Sequence, residues 1–301
     1  MAAHILCIGD VMLDVVTKIK VLPGAINYGS DTESDISTHG GGAAGNVASW
    51  LTCTGTSATI VGHVGQDAAG AALQSEFDAL GVQHHNLVVA GAHSGVVVVL
   101  VDPTGERTMF PDNGANSGLT LKDLPPLSPF SAVYLSGYAP LDPASRAGVM
   151  EMIRVIKSEG IPIYFDPASV GGMKAVAKSE IETWISFIDV LLLNEEEAEY
   201  LSGTNSVEQG LEVLTEKCPV VAIKLGSGGA IAQKAGAPVV RVAAEKAHVV
   251  DTTGAGDSFA AGFISNYVKN GDLLSALTKG CTVAAHCVAL LGARPRVGTK
   301  I

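Results

Sequence analysis

The chain has 301 residues, room for one large domain or two unequal ones. Apolar residues make up 47% and charged residues 16%, which excludes disorder and points to a body with much buried backbone, as in a sheet covered on both faces. The formal net charge of −11, with no basic cluster longer than a pair, argues against nucleic-acid partners and a polybasic membrane anchor.

The N-terminal run 4–9 reads as a strand, near-continuously apolar as buried parallel strands are. The N-terminus has no basic region, and Asp10 and Asp14 interrupt any longer apolar core, so it does not read as a secretory leader. Residues 12–39 carry few helix signals and contain Pro23, Gly24 and Gly29. A helix is expected over 45–54, a strand over 58–62 and a helix over 68–80. Residues 94–110 spell two short strands around Asp102-Pro-Thr-Gly105, the turn chemistry of a hairpin. Strands at 131–135, 161–165, 188–193 and 219–224 then alternate with helices at 143–159, 195–202 and 206–216, and two longer helices close the chain at 255–269 and 272–290. This alternation predicts βαβ units in an α/β fold of one domain over 1–301, with segments of about 12–39 and 94–112 forming a small β-lid. The longest aliphatic run, Val96–Val101, is far short of the roughly 20 residues of a membrane span. Five cysteines, odd in number and widely spaced, read as buried residues of a reducing cytoplasm rather than disulfides or a zinc site. Trp50 and Trp184 read as packing anchors, and His286 as a residue in or near the core.

Four segments carry chemistry. In Asp251-Thr-Thr-Gly254-Ala255-Gly256-Asp257-Ser-Phe259, the glycines let backbone approach a ligand, and the amides of 254–257 stand at a helix start, where unpaired donors and the helix dipole favour an anion. A phosphate is the natural guest, and Asp257 beside it could accept a proton from a hydroxyl attacking phosphorus. The local chemistry alone fits an ordinary Gly-rich turn with an acidic first-turn residue equally well. The second segment, Gly40-Gly41-Gly42-Ala43-Ala44-Gly45-Asn46, leads into a helix and suits a polyol or a phosphate, with Asn46 able to donate and accept. The third, Asn194-Glu195-Glu196-Glu197, follows a strand and could serve phosphate and Mg²⁺, or simply start a helix. The fourth, Lys224-Leu-Gly226-Ser227-Gly228-Gly229, lies where α/β sheets bind nucleotides. No P-loop, nucleophile elbow, zinc-protease motif or dinucleotide fingerprint occurs, which disfavours a nicotinamide oxidoreductase.

Taken in order, these segments resemble the ribokinase-like (PfkB-type) carbohydrate kinases, a family that includes adenosine kinase. Asp251–Phe259 matches the family's D-T-x-G-A-G-D-x-F signature, Gly41–Ala48 its glycines before an Asn, Asn194 and Glu197 its N-x-x-E element, Gly9-Asp10 to Asp14 its first-strand element, and Gly226–Gly229 its nucleotide loop. Gly105-Glu-Arg107 and Gly114-Ala-Asn116 also sit where members carry similar residues. The resemblance implies a mostly parallel sheet flanked by helices with a small β-sheet lid, and transfer of the ATP γ-phosphoryl to a hydroxymethyl group. It implies Asp257 as base and the amides of Gly254, Ala255 and Gly256 as the anion hole. Asn194, Glu197, Lys224, Gly226, Ser227 and Gly229 would serve ATP, with Glu197 reaching Mg²⁺ through water. Asp10, Asp14, Gly41, Gly42, Asn46 and Arg107 would serve the acceptor. Asp251, Thr253 and Gly292 would flank a potassium ion, and two lids would pair in a homodimer. The few lid cations (Lys18, Lys20, Arg107) favour a non-phosphorylated sugar over a nucleoside or a sugar phosphate. For a nucleoside base, Tyr28, Phe110 and Tyr138 are the aromatic candidates. A non-catalytic sensor on the same fold would need a degraded Asp257 segment, and this one is intact.

Overall fold

The computed structural model describes residues 3–301. Its strands, in chain order, are β1 (His4–Ile8), β2 (Met12–Ile19), β3 (Ser34–Gly41), β4 (Ser57–Val61), β5 (Val64–Gly65), β6 (Gln83–His84), β7 (Val88–Val89), β8 (Gly95–Val101), β9 (Arg107–Asp112), β10 (Ala132–Ser136), β11 (Ile163–Asp166), β12 (Val190–Asn194), β13 (Val220–Lys224), β14 (Ala230–Lys234) and β15 (Val240–Val242). The helices are α1 (Ala43–Cys53), α2 (Ala68–Leu80), α3 (Tyr138–Leu141), α4 (Arg146–Ser158), α5 (Val170–Met173), α6 (Lys178–Ile185), α7 (Glu195–Ser202), α8 (Val207–Thr215), α9 (Ala255–Asn270) and α10 (Leu273–Val288).

The main sheet has nine strands in the order β15-β14-β13-β12-β11-β10-β1-β4-β6. All its pairs are parallel except β13–β14 and β14–β15. Its central strands are apolar at nearly every position because helices cover both faces. Two apolar clusters result. Trp50, Phe77, Tyr134 and Phe263 fill one side, and Phe165, Trp184, Ile153 and Leu191 the other. Both tryptophans anchor packing as expected, and the Trp50 indole also donates to the Ala293 carbonyl at 2.8 Å. His286 is instead exposed, on the outer side of α10.

A second, four-stranded sheet has the order β3-β2-β8-β9. β2 runs antiparallel to β3 and parallel to β8, so two separate excursions of the chain build it together. Side chains alternate across it. Asp14, Val16, Lys18, Val99, Val101 and Arg107 face a cavity under the sheet. Val15, Val98 and Phe110, on the register between them, face outward. Among the described residues no helix is long and apolar enough to cross a membrane.

Candidate active site

Three parallel strands end beside one another in residues with polar heads. β11 ends in Asp166, β12 in Asn194 and β13 in Lys224, with Asn194 and Lys224 in register. The Lys224 ammonium lies 2.6 Å from Asp166 Oδ2. Burial pulls the lysine pKa down, but the Asp166 and Glu197 carboxylates outweigh that and leave it above the usual value. Asn194 caps α7: its Oδ1 accepts from the Glu197 amide at 2.8 Å, and Glu197 Oε2 accepts from the Asn194 amide at 2.8 Å. The acidic helix start is therefore a real cap. Burial, then the neighbouring Asp166 charge, push the Glu197 carboxyl well above the usual carboxylate range. A cation placed beside the two carboxylates would relieve that repulsion and draw the Glu197 proton off. Asp166 had no place among the residues singled out from sequence, although it ends an apolar strand as Asn194 and Lys224 do.

These strand ends open into a cavity of about 1070 Å³. Lys224, Gly226, Ser227 and Gly229 line one side, and Ala244, Ala247, Phe259 and Ala284 give it an apolar end that suits a purine. A second cavity of about 490 Å³ lies under the small sheet, and Val249 and Thr252 line both. The 249–256 segment thus runs between them.

Asp257 stands on the first turn of α9, next to Gly256 of the larger cavity's lining, and lines neither cavity itself. Gly254, the residue before the helix, has φ +75, and a Cβ there would meet the Ala293 carbonyl oxygen at 2.7 Å. Only glycine fits both demands. The Ala255 amide turns back to the Thr252 carbonyl at 3.3 Å, so it departs from the expected set of free donors. Among the described residues no acceptor faces the amides of Gly256 and Asp257, which point out of the helix start. Asn46, on the first turn of α1, donates through Nδ2 to Asp257 Oδ2 at 2.8 Å. Burial pushes the Asp257 carboxyl up to about 7, with the Asn46 amide and Lys224 pulling the other way and Asp166 and Asp10 adding to the rise.

The acceptor residues expected from sequence separate into two groups. Asp14 is buried at the edge of the second cavity, its carboxyl pushed up to about 6 by burial against the pull of Arg294. Among the described residues nothing donates to its carboxylate. Gly41 packs so tightly on it that a Cβ would lie 2.3 Å from Asp14 Oδ1. Asp10, by contrast, is used by the fold itself. It accepts from the Ala43 amide at 2.8 Å and the Ser136 hydroxyl at 2.9 Å, fixing the start of α1 behind Gly42. Arg107 lines the second cavity, but its guanidinium is committed to Asp251 and Thr253 rather than left free. Of the aromatic candidates, Tyr28 is exposed and Phe110 faces away from the cavity, and Tyr138, 46% exposed overall, lines neither cavity although desolvation by its surroundings, with Asp10 and Asp257 nearby, raises its phenol.

Sequence reasoning missed Arg294. Its side chain is buried, donating to Glu76 at 2.7 Å and to the Gly41 carbonyl at 2.7 Å, with Asn46 Oδ1 at 3.4 Å and the Phe77 ring beneath it. It therefore holds the Gly41 turn and the Asn46 amide together from behind. Lone arginines near a terminus carry no local signal of this kind.

Over residues 2–299 the chain matches the pfkB family of carbohydrate kinases. The chain belongs to this family. An ATP-dependent ribose-1-phosphate kinase of Halopiger xanaduensis is 28% identical, over 97% of this chain and 94% of that one. A fructokinase of Klebsiella pneumoniae is 29% identical, over 91% and 92%. The crystal structure of the adenosine kinase from Sinorhizobium meliloti superposes with a TM-score of 0.89 at 26% identity, covering 99% of this chain and 98% of that one. The pfkB chain described here is thus a sugar or nucleoside kinase of the ribokinase type, with the expected mostly parallel sheet and small separate sheet.

Proposed function

We propose that this pfkB chain transfers the γ-phosphoryl group of ATP to a hydroxymethyl group of a small, non-phosphorylated sugar. The observation that carries this reading is Asp257: a carboxylate with its proton affinity raised to about 7, held by Asn46, beside unpaired amides at a helix start and next to Gly256 of the larger cavity's lining. ATP occupies the larger cavity, with its purine at the apolar end and its phosphates toward Lys224 and the Gly256 and Asp257 amides. The acceptor occupies the smaller one, where Asp14 is part of the lining, and reaches its hydroxymethyl group toward Asp257 and Asn46, with Gly41 packed against Asp14. Asp257 takes the hydroxyl proton as that oxygen attacks the γ-phosphorus, the bond to the β-phosphate oxygen breaks, and ADP leaves. The amides and Lys224 stabilise the charge on the transferring group because they are fixed before it arrives. Glu197 and Asp166 would hold Mg²⁺ through water, and the metal would neutralise phosphate charge.

A nucleoside acceptor is the second reading. It is favoured by the apolar wall that Val16, Val99, Val101, Val250 and Leu291 give the smaller cavity, which suits a base. A sugar phosphate is less well served, because the arginine lining that cavity is already paired and Lys18 is the one other lysine or arginine on its lining among the described residues. The outward face of the small sheet, with Val98, Ile36 and Phe110 exposed, supports a lid-to-lid homodimer, and the free, buried cysteines suit a reducing cytoplasm.

The test is ADP release from ATP and Mg²⁺ across D-ribose, D-fructose, 2-keto-3-deoxygluconate, adenosine, pseudouridine and fructose 6-phosphate. One sugar should stand clear of the rest. A nucleoside ahead of every sugar would transfer the assignment to the second reading, and silence on all of them would sink the kinase reading for these acceptors. EDTA in excess of Mg²⁺ should abolish the signal, and turnover surviving it would contradict the metal assignment.

A further inference from the structure

Asp251 sits just before the anion-hole turn, where the family resemblance led us to expect a monovalent cation. The residues there do not fit one. Asp251 Oδ1 receives the Arg107 guanidinium through Nη2, the Thr253 amide at 2.9 Å and the Thr253 hydroxyl at 2.7 Å. Asp251 Oδ2 receives the Gly292 amide at 3.0 Å. Arg107 Nη1 also donates to Thr253 Oγ1 at 2.8 Å. Every partner of the carboxylate thus offers it a hydrogen, where a metal ion needs oxygen ligands around it. The positive charge is already supplied from within the chain. The pair is well shielded, with the Arg107 and Asp251 side chains 25% and 9% exposed.

The placement of Arg107 adds a second consequence. It lies on β9, in the small sheet, while Asp251 and Thr253 lead directly into Gly254 and α9. A planar fork fixed to one body therefore grips the turn that aims the Gly256 and Asp257 amides in the other. The geometry points to Arg107 as a positioning residue: its tethered guanidinium takes the place of a free monovalent cation at Asp251 and ties the small sheet to the anion-hole turn. This inference rests on the kinase reading above, and it makes turnover independent of potassium.

The experiment uses the purified full chain with ATP, Mg²⁺ and the acceptors D-ribose, D-fructose and adenosine. Ionic strength is held constant with either potassium chloride or tetramethylammonium chloride. The unsubstituted protein is expected to turn over equally in both. Arg107→Met is expected to lose about 10–100-fold in tetramethylammonium, the scale of a misplaced reacting geometry, and to recover most of that in potassium, because Asp251 is then open to a cation. Arg107→Lys keeps the charge without the fork, and should slow turnover without any preference between the salts. A tenfold loss for the unsubstituted protein without potassium would overturn the inference, as would an Arg107→Met protein of native thermal stability that is equally slow in both salts. Anomalous diffraction from crystals grown in rubidium chloride gives a readout free of turnover. No rubidium should lie within bonding distance of Asp251, and a peak there would refute the assignment even if Arg107→Met does not fold. Absence of turnover with every acceptor in both salts would instead count against the kinase reading, leaving the rubidium result to decide the role of Arg107.

Discussion

Replacing Asp257 with asparagine is expected to lower turnover by on the order of 10²–10⁴-fold while leaving ATP binding nearly unchanged. The substitution keeps the shape of the side chain and an oxygen that can accept from Asn46, so the loss isolates proton acceptance. Retention of most of the activity would remove Asp257 from the role of base. The same carboxylate sets two pH profiles. Only its ionised form accepts a proton, so kcat/KM should fall as pH drops through about 7. Stability should move the opposite way. The folded-state proton affinity lies above the ordinary value of 3.8, so the folded chain holds a proton that the unfolded chain has released over the interval between the two. Stability contributed by this group is full near pH 4 and is lost as pH rises to about 7. Asp257→Asn, neutral throughout, should therefore melt at a higher temperature than the parent at pH 8, with the difference closing toward pH 4. Equal melting curves at both pH values would show that burial does not raise this carboxyl.

The second large effect is expected at Gly254. Alanine there must adopt φ +75 and place its Cβ against the Ala293 carbonyl, which Trp50 already holds by its indole N–H. The turn has to shift, carrying the Gly256 and Asp257 amides with it. Turnover should fall about 10²–10³-fold, the cost of losing one such donor, with a stability loss of roughly 1–3 kcal/mol from the strained backbone. The two effects separate if ATP affinity, measured by calorimetry, stays within a few-fold of the parent. A variant that keeps its turnover would mean that the amides of this turn do not face the transferring phosphoryl.

Much of this arrangement was legible in the sequence because local physics dictated it. β1, β10, β12 and β13 are apolar at almost every position, and α2 and α7 occupy the expected ranges 68–80 and 195–202, which Asp67 and Asn194 cap. β14 and β15 escaped notice because they form an antiparallel edge. Ala-Ile-Ala-Gln-Lys and Val-Arg-Val are too short and mixed to announce a strand. The short α6 was missed although Ile181, Trp184 and Ile185 repeat at helical spacing. In the site, the glycine turns were readable because each has its own chemistry. Asp166, Glu76 and Arg294 were not, because what matters about them is a partner far away in the chain. Asp166 alone had a usable signal: it ends an apolar strand beside two others whose terminal residues were recognised.

The hydrogen bond between Asn46 and Asp257 spans 211 residues, and Arg294 grips Gly41 across 253. During synthesis at about 5–20 residues per second, the first of these gaps corresponds to roughly 10–40 s. Through that interval, and for a further 37 residues until Arg294 is made, Asp10, Asp14 and Glu76 have emerged without the arginine that balances them, and the glycine turn has nothing to close against. A nascent or prematurely ended chain therefore owns an acceptor pocket in name only. Its N-terminal half stays unlatched until Arg294 is in place.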